Sequence, residues 1–395
     1  MGRLACGLSA ALLIAACESG HGGNNSYGGK TIRLGAVLSL TGAGAAVGTQ
    51  SRDGMLLAVK QLNASGGVDG AQVELSVEDD ASDKEQSAQK AKSLAQQIQV
   101  LALLGPTLAN SATDVFPLAE SLKTPIIAVS TPGSHIVPDC AYPDTTPCKY
   151  VFRDSLGEQT AIPANIKTYV DDAHPGTAVL LVAEDERLSS DDGKLAVATF
   201  GLYKIRLLKT IPMSRNVADP APLVTQAVQL KPDVIFIATP GAVSARIMVD
   251  ARNFGYQGQF LGGDGLNNPA IAKLAGAAGR GARSASAWYL GIASARNQIF
   301  VDGFRTAYLK DPDQVAAQSF TAIELLADAA ARANLTFTDV ARDRERLRAA
   351  MESGNIQSPL GPLRFNSDHD VRQTIWIVQM DGRGGFTAVK QISPS

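Results

Sequence analysis

Glycines 42, 44 and 48 punctuate the stretch LTGAGAAVG, residues 40–48, between the apolar run Ile32–Leu38 and a segment of helical spacing, Gln50–Leu62. A glycine-rich loop between a strand and a helix lets backbone come close to a small polar guest, either a nucleotide or a captured solute. The spacing is GxGxxxG and not the GxGxxG of dinucleotide loops, so no cofactor is expected. A second candidate is Asp264 in GGDG, whose carboxylate lies between Gly263 and Gly265 and is open to a cation. The competing reading is an aspartate that stabilises its own turn. Catalysis finds little support. None of the four histidines, His21, His135, His174 and His369, falls on a proposed ligand loop. Ser189 and Ser190 in RLSSDDG have no histidine nearby and read as a solvated turn. The SDHD of residues 367–370 has oxygens and an imidazole for a divalent ion, but a surface turn is the preferred reading. No catalytic residue and no metal ligand is assigned.

The elements that must position these residues alternate. Strands are expected at Ile32–Leu38, Val73–Glu78, Val100–Leu104, Ile126–Val129, Ala178–Val182, Val234–Ala238 and Phe260–Gly262. Helical stretches lie between them, such as Glu85–Gln97, where Ala88, Ala91, Leu94 and Ala95 share a face. Continuous runs like VLALLG and DVIFIAT suit strands buried on both sides, as in parallel sheets. One outline occurs twice. VLALLGPTLANSATDVFPLAESLKTPIIAVSTPG runs strand, loop, helix, strand, loop, and VIFIATPGAVSARIMVDARNFGYQGQFLGGDG repeats that order about 130 residues later. The expectation is α/β architecture with two similar doubly wound lobes. Ligands sit beyond the carboxyl ends of such strands, so GPTLANS, STPGS, AEDERLSSDDG, TPGA and GGDG should converge on one cleft.

A chain of 395 residues has room for two or three domains, and a net charge of −2 gives no basic footprint for nucleic acid. The first residues look like an export signal. Arg3 precedes an apolar run, Leu4–Ala16, too short for a bilayer that needs roughly 20 residues. Its end, Ile14-Ala15-Ala16-Cys17, resembles the bacterial lipobox, which implies cleavage after residue 16 and lipidation of Cys17. Residues 17–30, rich in Gly, Ser and Asn, read as a flexible tether. Cys140 and Cys148 close a short loop in DCAYPDTTPC, and in an exported chain such a pair is expected to form a disulfide.

Five stretches in order resemble the type I periplasmic solute-binding proteins of ABC importers, in the branched-chain amino acid-binding (leucine-binding-like) group. They are IRLGAVLSLTG, GGVDGAQVELSVEDDASD, GPTLANSATDVFPLAESLKTPII, FLGGDGL and LGPLRFNSDHD. The resemblance spans Thr31 to Lys390. It implies two lobes on a three-stranded hinge, lobe I as 31–153 plus 287–359 and lobe II as 154–286 plus 360–395, with crossings near Arg153, Ala285–Trp288 and Leu360–Phe365. It also implies an exported, membrane-anchored monomer that faces the periplasm or cell exterior, holds a small-molecule ligand and serves ABC permease subunits. A sensor or regulatory lipoprotein of the same fold is the alternative.

Carried over residue by residue, the resemblance makes Asp264 the acceptor of a ligand's α-ammonium group. The family's serine and threonine for the ligand carboxylate fall at Ala109 and Pro132, so both hydroxyls are missing here. Thr107, Asn110, Ser130 and Thr131 lie on the same loops and are the substitutes. Ser111, three residues before Asp114, is read as a helix cap. The aromatic walls align with Val47 and Leu188, which predicts a roomier cleft.

Overall fold

The computed structural model describes residues 30–129, 131, 139–141 and 144–393, with backbone alone at 139–141 and 144–147. The expected signal peptide, Cys17, the tether up to residue 29, Ser130, Pro132 and the side chain of Cys140 lie outside the described residues. Cys148 is buried.

Strand β1 (Thr31–Leu38) leads through α1 (Ala45–Ala64) to β2 (Gln72–Asp79), then α2 (Lys84–Ser93) to β3 (Ala102–Leu104) and α3 (Ala109–Ser121) to β4 (Ile126–Ala128). A hairpin of β5 (Asp139–Ala141) and β6 (Asp144–Pro147) precedes β7 (Val151–Arg153). The first sheet runs β2-β1-β3-β4-β7, all parallel. The chain continues through α4 (Glu158–Ala173), β8 (Thr177–Ala183), α5 (Arg187–Leu202), β9 (Arg206–Met213) and α6 (Ala221–Gln229). There follow β10 (Val234–Ala238), α7 (Gly241–Asn253), β11 (Gln259–Gly262), α8 (Pro269–Ala275) and β12 (Arg283–Ser286). These strands take the order β9-β8-β10-β11-β12, the plan of the first sheet over again.

After β12 the helices α9 (Ala295–Tyr308), α10 (Gln314–Arg332) and α11 (Val340–Glu352) return to the first half, where α10 lies along α1. A small antiparallel sheet follows, of β13 (Asn355–Ser358), β14 (Gly361–Phe365) and β15 (Val371–Gln373). The chain then re-enters the second sheet as β16 (Ile375–Met380) and β17 (Phe386–Ile392), both antiparallel to their neighbours. The second sheet is therefore mixed, where a parallel one was expected. A tight β16–β17 turn replaces a crossover helix, and only antiparallel neighbours can be joined that way.

Double winding is visible residue by residue. In β1 Leu34, Ala36 and Leu38 enter one core and Val37 the other. In β10 Ile235 and Ile237 face one core, and Val234, Phe236 and Ala238 the opposite one. Burial on both faces is why these strands are apolar without interruption, each large side chain contributing ~1.5–3 kcal/mol. The largest core continues through the joint between the halves, from Phe152 and Leu156 to Ala287, Trp288, Leu363 and Ile377.

Two glycines of α1 have a packing role that the sequence did not reveal. The helix begins at Ala45, so the loop is shorter than its glycine spacing suggested. A Cβ at Gly48 would stand 2.0 Å from the Ser39 carbonyl oxygen, and one at Gly54 would stand 2.2 Å from that of Ala316. Helix backbone thus touches loop backbone at the first and α10 at the second. Gly54→Ala gains about 1 kcal/mol of helix propensity. The collision with rigid backbone outweighs it, so urea denaturation should show a net loss of about 1–3 kcal/mol. An unchanged midpoint would contradict the close approach.

Candidate ligand-binding site

The loops beyond the carboxyl ends of the parallel strands do meet. Ala43, Leu108, Ala109 and Asn110 from the first half face Asp185, Glu186, Arg187, Arg215, Asn216, Val217 and residues 240–243 from the second, around a cavity of about 860 Å³. GPTLANS, AEDERLSSDDG and TPGA therefore share one cleft.

Its first wall is held by a polar lattice at the ends of β1 and β2. Thr107 Oγ1 accepts from Ser39 N–H at 3.0 Å, and Ser39 Oγ donates to Asp80 at 2.7 Å. Burial is the largest single influence on the Asp79 carboxylate and raises it, but the bonds it accepts from Ala81, Thr41 and Leu40 together outweigh burial and hold it below the usual carboxylate range. Gly42 lies at φ 78° against Ala81 and Ser82, a backbone region that favours glycine. Thr107 is thus buried in the scaffold with its hydroxyl engaged. Ala109 and Asn110 are the first helical residues of α3, which has no side-chain cap and no acidic residue in its first turn. The expected Ser111 cap is not formed. The cap position is Leu108, because the helix starts two residues before Ser111, and the buried Ser111 hydroxyl has no partner. Thr131 is likewise buried with an unpartnered hydroxyl. Val47 and Leu188 are half-buried, on the opening turns of α1 and α5.

GGDG does not line that cavity; it carries a separate acidic cluster at the end of β11. Asp264 opens a single 3-10 turn directly after β11. Its side chain does not cap that turn; Oδ1 accepts from Gln314 Nε2 at 2.5 Å, from the start of α10. Gln314 can point only this way, because its Oε1 accepts from Ala287 N–H and Asn267 Nδ2, each at 2.9 Å, and from the Ser286 hydroxyl. The Asp264 N–H donates to Glu158 Oε1 at 2.7 Å. A Cβ on Gly263 would lie 2.7 Å from Asp192 Oδ2 and 2.8 and 3.0 Å from the two Glu158 oxygens, so both carboxylates crowd one patch of bare backbone. Burial first raises both well above the carboxylate range, helped at Glu158 by repulsion from Asp192 and Asp264, and at Asp192 by repulsion from Glu186, Asp264 and Asp191. Burial pushes Asp264 up to about 6, even though the Gln314 bond opposes it.

Asp192 was hidden by its context. RLSSDDG is no solvated turn but the opening of α5, capped by the Glu186 carboxylate on the N–H groups of Leu188 and Ser189. Ser189 and Asp192 are buried. A negative N-terminal side chain suits the helix dipole, and a run of polar residues reads alike on a helix face and in a turn.

SDHD is the expected turn at its exposed start, Ser367 and Asp368, but its second half faces inward. His369 is 5% exposed, stacked on Phe152 with centroids 4.1 Å apart. Its ring nitrogens lie 3.3 Å from the Val151 carbonyl and 3.2 Å from Glu352. Asp370 accepts two bonds from the fully buried Arg153 guanidinium, at 2.9 and 2.6 Å, where β7 leaves the first sheet. Nothing in SDHD marks it as a tie between crossings. Among the described residues no set of three His, Cys, Asp or Glu side chains is arranged to hold a metal. No described helix is long and apolar enough to cross a membrane.

A family model described as periplasmic binding protein matches residues 31–385. The leucine-, isoleucine-, valine-, threonine-, and alanine-binding protein of Pseudomonas aeruginosa is 22% identical over 362 residues, 88% of this chain and 89% of that one. Among solved structures, a leucine binding protein from Thermotoga maritima superimposes with a TM-score of 0.79 at 22% identity, covering 92% of this chain and 99% of its own. A solute binding protein of an ABC transporter from R. palustris, in complex with benzoate, gives 0.79 at 22% identity, over 92% and 97%.

Proposed function

The chain belongs to the periplasmic binding protein family, and from that premise we propose that it is the exported, lipid-anchored binding subunit of an ABC importer. It captures an amino acid or related small polar solute between lobes 31–153 plus 287–359 and 154–286 plus 360–395, and hands it to the permease. What supports this reading is the presence of unlike polar groups in the two halves. An uncapped helix start at Ala109 and Asn110 stands in one half, and the Asp264 carboxylate in the other. Free N–H groups at a helix start suit a carboxylate, and Asp264 suits an ammonium group. Such a ligand touches both halves only when they are close, which gives it the differential affinity that closure requires.

The missing hydroxyls at Ala109 and Pro132 shift the carboxylate's recognition onto backbone, with Asn110, Ser130 and Thr131 beside it. Half-buried Val47 and Leu188 leave a cleft without flat stacking walls. Relatives named for leucine and a neighbour holding benzoate bracket the solute class. Acylation of Cys17 and a Cys140–Cys148 bridge complete the reading, in accord with export. It assigns the chain no catalysis.

A thermal-shift screen of the purified protein against amino acids, amides and small carboxylates tests it. A ligand at 100 times its dissociation constant adds about 2.7 kcal/mol, a rise of several degrees. The hit should also compact the scattering profile. Stabilisation without any change in scattering would remove the clamp.

A further inference from the structure

The carboxylates around Gly263 outnumber what a single ammonium group can serve. Glu158 is fully buried and Asp192 is 5% exposed, and each keeps one oxygen, Glu158 Oε2 and Asp192 Oδ1, with no hydrogen-bond partner. The two side chains reach the same bare backbone beside Asp264, Asp192 through Oδ2 and Glu158 through both oxygens. Buried polar atoms of this kind are nearly always satisfied in a working protein, and an unpaired buried carboxylate is among the costliest groups to leave bare.

The protein's own charges do not meet the need. Arg153, the cation that acts on Glu158, is clamped on Asp370. Arg187 lies 3.9 Å from Asp191 at the helix surface. The remaining charged neighbours, Glu186, Asp191 and Asp264 around Asp192, and Asp313 beside Asp264, are all acids. A metal ion is no answer either, since the described acids do not form a coordinating set.

We infer that the solute carries a second cationic group besides its α-ammonium, as in a basic amino acid or a diamine, and that this group fills the space between Glu158 and Asp192. The inference rests on the binding role proposed above and names the ligand class of that site. Asp264, with one oxygen held by Gln314, takes the first cation. Glu158 and Asp192 take the second through charge-assisted bonds. In the empty protein, burial and the neighbouring acids shift both carboxyls toward their protonated forms. Arrival of a cation reverses that balance, so binding expels protons and tightens as pH rises.

Calorimetric titration of the purified protein with L-arginine, L-lysine and 1,4-diaminobutane, against L-leucine and benzoate, is the test. It is run in two buffers of different ionisation enthalpy and at pH 6 and 8. At least one cationic probe should bind about tenfold or more tightly than L-leucine, with net proton release and a stronger affinity at pH 8. Glu158→Gln and Asp192→Asn should each erase that tenfold preference while the empty protein melts no lower than the parent.

L-leucine binding as tightly as the cationic probes would overturn the inference and leave the importer role intact. Binding of benzoate alone would overturn the inference together with the amine-accepting role of Asp264. Silence from all five probes would overturn the inference, and the wider screen would then judge the importer role alone. Cation binding without proton release, or variants that lose binding only because they melt lower, would show the pair to be structural and also overturn it.

Discussion

Asp370→Ala should cost about 3–5 kcal/mol of stability, the range for removing one partner of a buried ion pair. Arg153 is fully buried and Asp370 only 16% exposed at the side chain, with two parallel bonds between them and a third from Gln159 at 3.1 Å. The alanine leaves a guanidinium facing a void in low dielectric. The pair also joins two crossings of the chain, since Arg153 N–H donates to the His369 carbonyl and the two segments meet as a bridge. Urea denaturation followed by fluorescence of Trp288 and Trp376 reads the loss. Asp370→Asn, which keeps shape and an acceptor, should lose less. A cost under about 1 kcal/mol for the alanine would mean the pair is dispensable.

Asp264→Ala is expected to weaken binding of any amine-bearing ligand by about 2–5 kcal/mol, thirtyfold to several thousandfold, as truncation of one side of a buried charge pair does. The expected effect on the empty protein is opposite in sign. With its folded pKa near 6 against 3.8 for the free group, Asp264 binds its proton more tightly when folded. Its contribution to stability is therefore fully present below about pH 4 and is lost as pH rises through about 6. Above that pH the parent carries a buried charge that the alanine lacks. The variant should thus melt no lower than the parent at pH 7.5 while losing the ligand-induced shift, and calorimetry should return the weakened affinity. Full affinity in the variant would remove Asp264 from the site. A variant that melts far lower would make it structural.

Much of this molecule is legible along the chain. The strands of Ile32–Leu38, Ala178–Val182 and Val234–Ala238 announce themselves because burial on both faces demands unbroken apolar runs. The repeated strand–loop–helix–strand outline became β3-α3-β4 and β10-α7-β11, which occupy the same places in the two sheet orders. Weaker strands escaped notice. Arg206–Met213 lies at a sheet edge with an exposed face, so its pattern is mixed. Residues 361–392 form antiparallel ribbons whose pairing comes from partners far along the chain.

The site divides in the same way. Asp264 stands out in sequence because its flanking glycines leave the carboxylate open, although a turn-stabilising aspartate would look the same there. The residues that define its environment do not stand out. Glu158 opens a helix 106 residues upstream, Asp192 is one acid in a polar run, and Gln314 begins a helix 50 residues downstream. None has a local signature, because a helix start tolerates all three. Local sequence decided the strands, the loops and the positions of the glycines, since backbone geometry and burial act over a few residues. Only the tertiary structure decided which charges share a space. Electrostatic energy depends on distance and on the water excluded between groups, and neither quantity is written along the chain.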